Sequence, residues 1–209
     1  MRPILTITLV VLSLTPVVDV RKGQASTQVP CQLSGDKAPA IRGLRLGMTA
    51  EELSTFFPDL SPRNLVSSAQ REPNYGVARL FYQVDSPSPP PKERFTGIDS
   101  ISIILFDGQV TEITVRYAGA GSYPVKGPSW RNVDDFIAKL SEAFGLPQAR
   151  DWLDRSTWAK TLKCAGFTLD ASADNGTGEI TLRGTTAYQE TVRQRALANQ
   201  ERRRREFKP

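Results

Sequence analysis

Residues 100–117 read SISIILFDGQVTEITVRY, two runs rich in β-branched residues divided by Asp107-Gly108. Asp-Gly is the dipeptide of the type I′ turn, in which both central residues take positive φ, so this stretch spells out a β-hairpin. The spacing predicts strands over 100–106 and 109–117, with Phe106 opposite Gln109. Strict alternation from that pair puts Ile104, Phe106, Ile113, Val115 and Tyr117 on one face. Ile101, Ile103, Leu105 and Val110 then fall on the other, beside Glu112, Thr114 and Arg116. Both faces carry apolar side chains. One packs on helices; the other is covered by the N-terminal stretch or the last helix, or is offered to a partner as an exposed patch. Ile101, Ile103, Leu105 and Val110 are therefore the candidate partner face.

Working outward, residues 77–84 (VARLFYQV) read as a further strand. Residues 85–92 (DSPSPPPK) read as a surface linker, because proline lacks the N–H that a ladder needs. Upstream, Thr49 and Glu52 spell a capping box, and Met48 can staple onto Leu53. Leu53, Phe56, Phe57 and Leu60 repeat at helical spacing until Pro58 limits the length. Downstream of a loop at 118–129, Val133, Phe136, Ile137, Leu140 and Phe144 mark a second helix over 132–144. Gly145 supplies a left-handed cap and Pro147 a stop. Residues 161–171 and 178–184 form a second hairpin about Ala173-Asp174-Asn175-Gly176-Thr177, and Trp152 and Trp158 serve as core or edge anchors. Residues 186–207 lack Gly and Pro and favour a helix; Tyr188, Val192 and Ala196 give it a thin apolar stripe. The expected fold is α+β: an antiparallel sheet with helices on one face, in two similar helix-hairpin halves (41–117 and 130–184), plus a C-terminal charged helix (185–209).

The 209 residues contain no histidine and two cysteines. That excludes imidazole triads and His- or Cys-rich zinc sites, and no cofactor is expected. Residues 4–18 (ILTITLVVLSLTPVV) form an apolar run of about 15 residues, short of the roughly 20 that a membrane span needs. After Arg2, and before small residues near Gly23-Gln24-Ala25, the run reads as a signal peptide over 1–25 followed by an N-terminal segment over 26–40. An uncleaved anchor is the alternative. Pro30 before Cys31 does not fit a lipid-attachment site, so the expectation is an exported, periplasmic or extracellular chain that is not a lipoprotein. In that setting Cys31 and Cys164 pair as a structural disulfide.

Charge is unevenly spread. Residues 26–187 carry 17 basic and 18 acidic side chains, whereas 188–209 carry seven basic and three acidic ones. Arg202, Arg203, Arg204 and Arg205 are either a solvated helix end or candidate contacts for anionic lipid or lipopolysaccharide phosphates. The near-neutral body and the export signal argue against nucleic acid. Glu51/Glu52 and Asp134/Asp135 lie in helix first turns, where acids are favoured without any catalytic role. No Gly-x-Ser-x-Gly elbow or phosphate-binding loop is present. Residues 118–121 (AGAG) read as a loop, and Asn175-Gly176-Thr177 fits both a turn and a glycosylation acceptor.

Leu46-Gly47-Met48-Thr49 with Glu51-Glu52, followed by Phe106-Asp107-Gly108-Gln109-Val110, resembles the SmpA/OmlA (BamE-like) group of bacterial envelope proteins. In doubled form it resembles the β-lactamase-inhibitor-protein-like fold. The resemblance covers at most 41–117. The expected function is a non-enzymatic exported adaptor that binds an envelope protein. A secreted enzyme inhibitor, which the resemblance implies, and a hydrolase with an unconventional carboxylate site are the alternatives.

Overall fold

A computed structural model describes residues 31–70, 76–83, 94–119, 130–174 and 176–206. The expected signal peptide, the 85–92 linker, residues 120–129 of the loop, and Asn175 lie outside these. So do the side chains of Tyr188, Val192, Ala196 and Arg203.

The fold is α+β. Helices α1 (Ala50–Ser54) and α2 (Pro62–Gln70) precede strands β1 (Val77–Gln83), β2 (Ile98–Phe106) and β3 (Gln109–Tyr117). Helix α3 (Val133–Phe144) precedes β4 (Leu153–Ser156), β5 (Ala159–Lys163), β6 (Phe167–Asp174) and β7 (Thr177–Gly184), and α4 (Thr185–Glu206) follows. The strands form one seven-stranded sheet in the order β1-β2-β3-β7-β6-β5-β4. Every neighbouring pair is antiparallel. The sheet's middle is the β3–β7 pair, where Ile113 lies opposite Leu182 and Val115 opposite Ile180.

The Asp107-Gly108 turn has φ of 47° and 78°, as its type demands. The strands beyond it do not alternate strictly. Leu105 pairs with Val110 but Ile104 pairs with Glu112, which leaves Thr111 as an extra residue. Its hydroxyl donates to Ile104 O at 3.2 Å. This β-bulge shifts the side-chain sequence by one, so Val110, Ile113 and Val115 join Ile101, Ile103 and Leu105 on a single apolar face. All six are at most 2% exposed and lie in the main core. The candidate partner face is thus the inside of the molecule, and it is not available to a partner.

Helices α1, α2 and α3 send Leu53, Leu65, Phe136, Ile137 and Leu140 into that same core. The capping box at Thr49 and Glu52 is formed, and Asn132 and Gly145 cap α3, the latter left-handed at φ 64°. Helix α1 is shorter than the Leu53–Leu60 spacing suggests. Phe57 leaves it to stack on Tyr82, with ring centroids 4.1 Å apart. Helix α2 was not expected from the sequence. It begins at Pro62, whose fixed φ suits a first helical position, and Ser61 Oγ accepts from Asn64 N–H. The strand expected over 161–171 is two strands, broken at Cys164-Ala165-Gly166. A Cβ on Gly166 would lie 2.0 Å from Gly35 N, so the N-terminal segment presses directly on this turn. Helix α4 lies against β3, β6 and β7 and buries Thr191 and Ala198.

Candidate functional site

Among the described residues two places stand out, and the first is a recess beside α3. It begins with a tight turn in which Ile41 and Leu44 exchange backbone hydrogen bonds of 2.8 and 3.0 Å. Both side chains are fully buried. Anchored at both ends, the turn carries Arg42 and Gly43 at φ 54° and 88°. A long side chain in that left-handed region costs about 1–2 kcal/mol. The Arg42 guanidinium donates to Thr96 O at 3.0 Å. Across from it stand Tyr117, at the end of β3, and Trp130, just ahead of α3. With Phe136 they form a mutual cluster whose centroids are 4.7–6.2 Å apart. Gly178 of β7 allows this packing, since a Cβ there would sit 2.7 Å from the Trp130 ring and 2.8 Å from the Phe136 ring.

The recess measures about 330 Å³, and Lys139, Leu140, Ala143 and Phe144 of α3 complete its lining. Among the described residues its charged lining is Arg42 and Lys139. Lys139 also pairs with Asp135 at 3.5 Å. The buried Trp130 Nε1–H finds no acceptor among the described residues. Burial pushes the Tyr117 hydroxyl up to about 12, against a smaller lowering by the Arg42 charge. It is therefore a neutral phenol at physiological pH.

The second place is the sheet edge at β4. Only β5 pairs with this strand, so its outer backbone groups have no strand partner among the described residues. Leu153 in the strand and Trp158 in the turn after it are 38% and 55% exposed. Trp158 is thus an edge residue. Trp152 is the core anchor, with its indole N–H donating to Pro147 O at 3.1 Å.

Of the acidic pairs singled out in the sequence, Glu52 and Asp135 serve the helix starts. Glu52 accepts from Thr49 N–H and pairs with Arg45, 2.8 and 2.6 Å away. Asp135 accepts from Arg131 N–H, while Asp134 and Asp154 both hold Lys160, at 2.8 and 3.0 Å. Two acids of the sheet's polar face are also engaged: Arg183 of β7 bridges Glu112 of β3 and Asp170 of β6. Burial alone would lower its pKa, but the two carboxylates outweigh that and raise it. Among the described residues no group of three or more His, Cys, Asp or Glu gathers to hold a metal. No described helix is long and apolar enough to cross a membrane.

Cys31 and Cys164 are at bonding distance, with Sγ–Sγ 2.00 Å and Cα–Cα 4.5 Å. Arg202, Arg204 and Arg205 are exposed on the last turns of α4, with Arg202 near Glu206 at 3.9 Å. The recess is not visible in the sequence, because its aromatic residues come from separate elements that only the β3–β7 pairing brings together. Arg42-Gly43 between two apolar residues is a turn signal that could have pointed to its rim.

No protein-family model, curated protein or solved structure matches the chain.

Proposed function

We propose that the chain is a non-enzymatic, exported adaptor that binds an envelope protein in the periplasm or outside the cell. The observation that carries this reading is the β4 edge, a short strand whose outer side has no strand partner among the described residues and which presents the exposed Leu153 and, in the turn after it, Trp158. An extended segment of a partner can add to such an edge by main-chain hydrogen bonds, with the two side chains as anchors. The cysteine pair supports an oxidising compartment. The chain order, helices then antiparallel strands on each side of the β3–β7 seam, supports the duplicated BamE-like reading with helices on one face. The exposed arginines at the end of α4 support a second contact, with anionic lipid or lipopolysaccharide.

The test is co-purification of the tagged full chain with crosslinked envelope proteins, each identified by mass spectrometry. Leu153→Ser with Trp158→Ser is expected to remove the specific partner while leaving the unfolding midpoint unchanged, because both side chains are exposed. Capture undiminished by the double substitution overturns the edge as the contact. Turnover in a broad substrate screen, with saturation kinetics, overturns the non-enzymatic reading.

A further inference from the structure

The polar face of the sheet holds a trough beside the β4 edge, and strand alternation builds it. Val115, Ala171, Ala173 and Ile180 point into the core, so Arg116 of β3, Ser172 and Asp174 of β6 and Glu179 of β7 point outward. Register sets them side by side: Arg116 lies opposite Glu179, Glu179 opposite Ser172, and Asp174 opposite Thr177. Trp158 completes a space of about 400 Å³, within the roughly 300–1,000 Å³ of small-molecule sites. The backbone that carries this ring is fixed without any ligand. Trp158 O accepts from Ala173 N–H of β6 at 3.0 Å, and Trp158 N–H donates to Ser156 Oγ at 3.3 Å. The residue is still 55% exposed, and its open indole matches a ligand with one flat apolar face. The polar lining answers a different part of such a ligand. The Arg116 guanidinium donates, the Asp174 and Glu179 carboxylates accept, and the Ser172 and Thr177 hydroxyls do both. Further along the same face Glu112, Arg183 and Asp170 are tied to one another. Among the described residues no ion pair or side-chain hydrogen bond occupies Arg116, Asp174 or Glu179. An anion entering the trough meets two carboxylates, and a cation meets Arg116. An uncharged ligand rich in hydroxyls fits both the platform and its rim.

We propose that this trough binds an uncharged saccharide, with the C–H face of one pyranose ring laid on Trp158 and its hydroxyls bonded to Arg116, Asp174 and Glu179. The site shares Trp158 with the edge contact and nothing else. Among the described residues Leu153 takes no part in its lining, and the ligand needs no main-chain pairing with β4.

Calorimetry and tryptophan fluorescence on the full, disulfide-bonded chain test this with maltose, cellobiose and N,N′-diacetylchitobiose, and with choline and glucuronate as charged controls. At least one disaccharide is expected to bind saturably, at least tenfold tighter than either control. Its affinity is expected to stay the same as salt is raised, because no net charge is exchanged. Trp158→Ala is expected to weaken it at least tenfold, and Asp174→Asn or Glu179→Gln about tenfold each, consistent with loss of one charge-assisted contact. All three positions are exposed, so an unchanged unfolding midpoint separates loss of the site from loss of the fold. Leu153→Ser is expected to leave saccharide binding intact, so the site and the edge contact fail separately. Sedimentation with starch, cellulose or chitin distinguishes the source: capture by the polymer marks a glycan chain, and binding of the disaccharide alone marks a free sugar. Absence of saturable binding to every disaccharide and polymer by the folded chain overturns the proposal. So does choline or glucuronate binding as tightly as the best disaccharide, or saccharide binding that survives Trp158→Ala.

Discussion

Tyr117 occupies the end of a core strand and lines the recess, and its titration reports how dry that position is. The phenol ionises at 10.0 in a solvated chain and at about 12 in the folded one. Between those values the unfolded chain has lost the proton and the folded chain still holds it, so stability falls as pH rises. The slope approaches about 1.4 kcal/mol per pH unit and flattens beyond 12. Tyr117→Phe removes this contribution. Urea unfolding at pH 9 and 11.5 is expected to show the Phe variant gaining about 2 kcal/mol relative to the parent over that interval. Parallel pH profiles would mean that water reaches the hydroxyl. Asp135 behaves in the opposite sense. Acceptance from Arg131 N–H, then the nearby Lys139 and Arg131 charges, hold its carboxyl below 3.8 despite partial desolvation. Its contribution to the α3 cap is complete above that pH and is lost as acid carries it through the lower folded value.

At the scale of elements, local chemistry was readable and register was not. Asp107-Gly108, the Thr49/Glu52 box and Gly145 each fix a backbone conformation through their own residues, and each feature forms as expected. The sheet face departs from strict alternation because one residue, Thr111, bulges, and nothing in the sequence separates a bulged threonine from an alternating one. Helix α2 went unseen because Ser61-Pro62 reads equally as a turn. The break between β5 and β6 depends on a backbone approach by Gly35, distant in sequence. The recess failed to show for a related reason, since its members meet only after the sheet is assembled. Helix α4 was legible in extent, from composition alone. Its arginine cluster yields a direct test. Each basic side chain near an anionic membrane surface contributes about 1 kcal/mol. Removing residues 200–209 is expected to weaken binding to phosphatidylglycerol vesicles at least tenfold at low salt, with no change on phosphatidylcholine. Sedimentation with vesicles reads the difference, and undiminished binding would remove the lipid-contact role.

For the molecule as a whole, the decisive link is the one between Cys31 and Cys164, 133 residues apart. On the chain-entropy account, closing a loop of that length stabilises the fold by about 5 kcal/mol. Replacing both cysteines by serine is expected to lower the unfolding free energy by roughly 3–5 kcal/mol. Guanidinium melts of the double variant against the oxidised parent measure this. A shift below about 1 kcal/mol, within the spread of ordinary surface substitutions, would make the link incidental to folding. The loss has an expected location as well, with amides of 31–38 exchanging faster than those of β2 and β3.

The same link sets a mechanical path. A pull on the chain ahead of Cys31 travels through sulfur to the bend between β5 and β6. The covalent path thereby bypasses the helices and strands between the two cysteines. Whatever tethers or tugs this protein ahead of Cys31 therefore grips the far side of the sheet first, and load reaches the near side through the β3–β7 ladder.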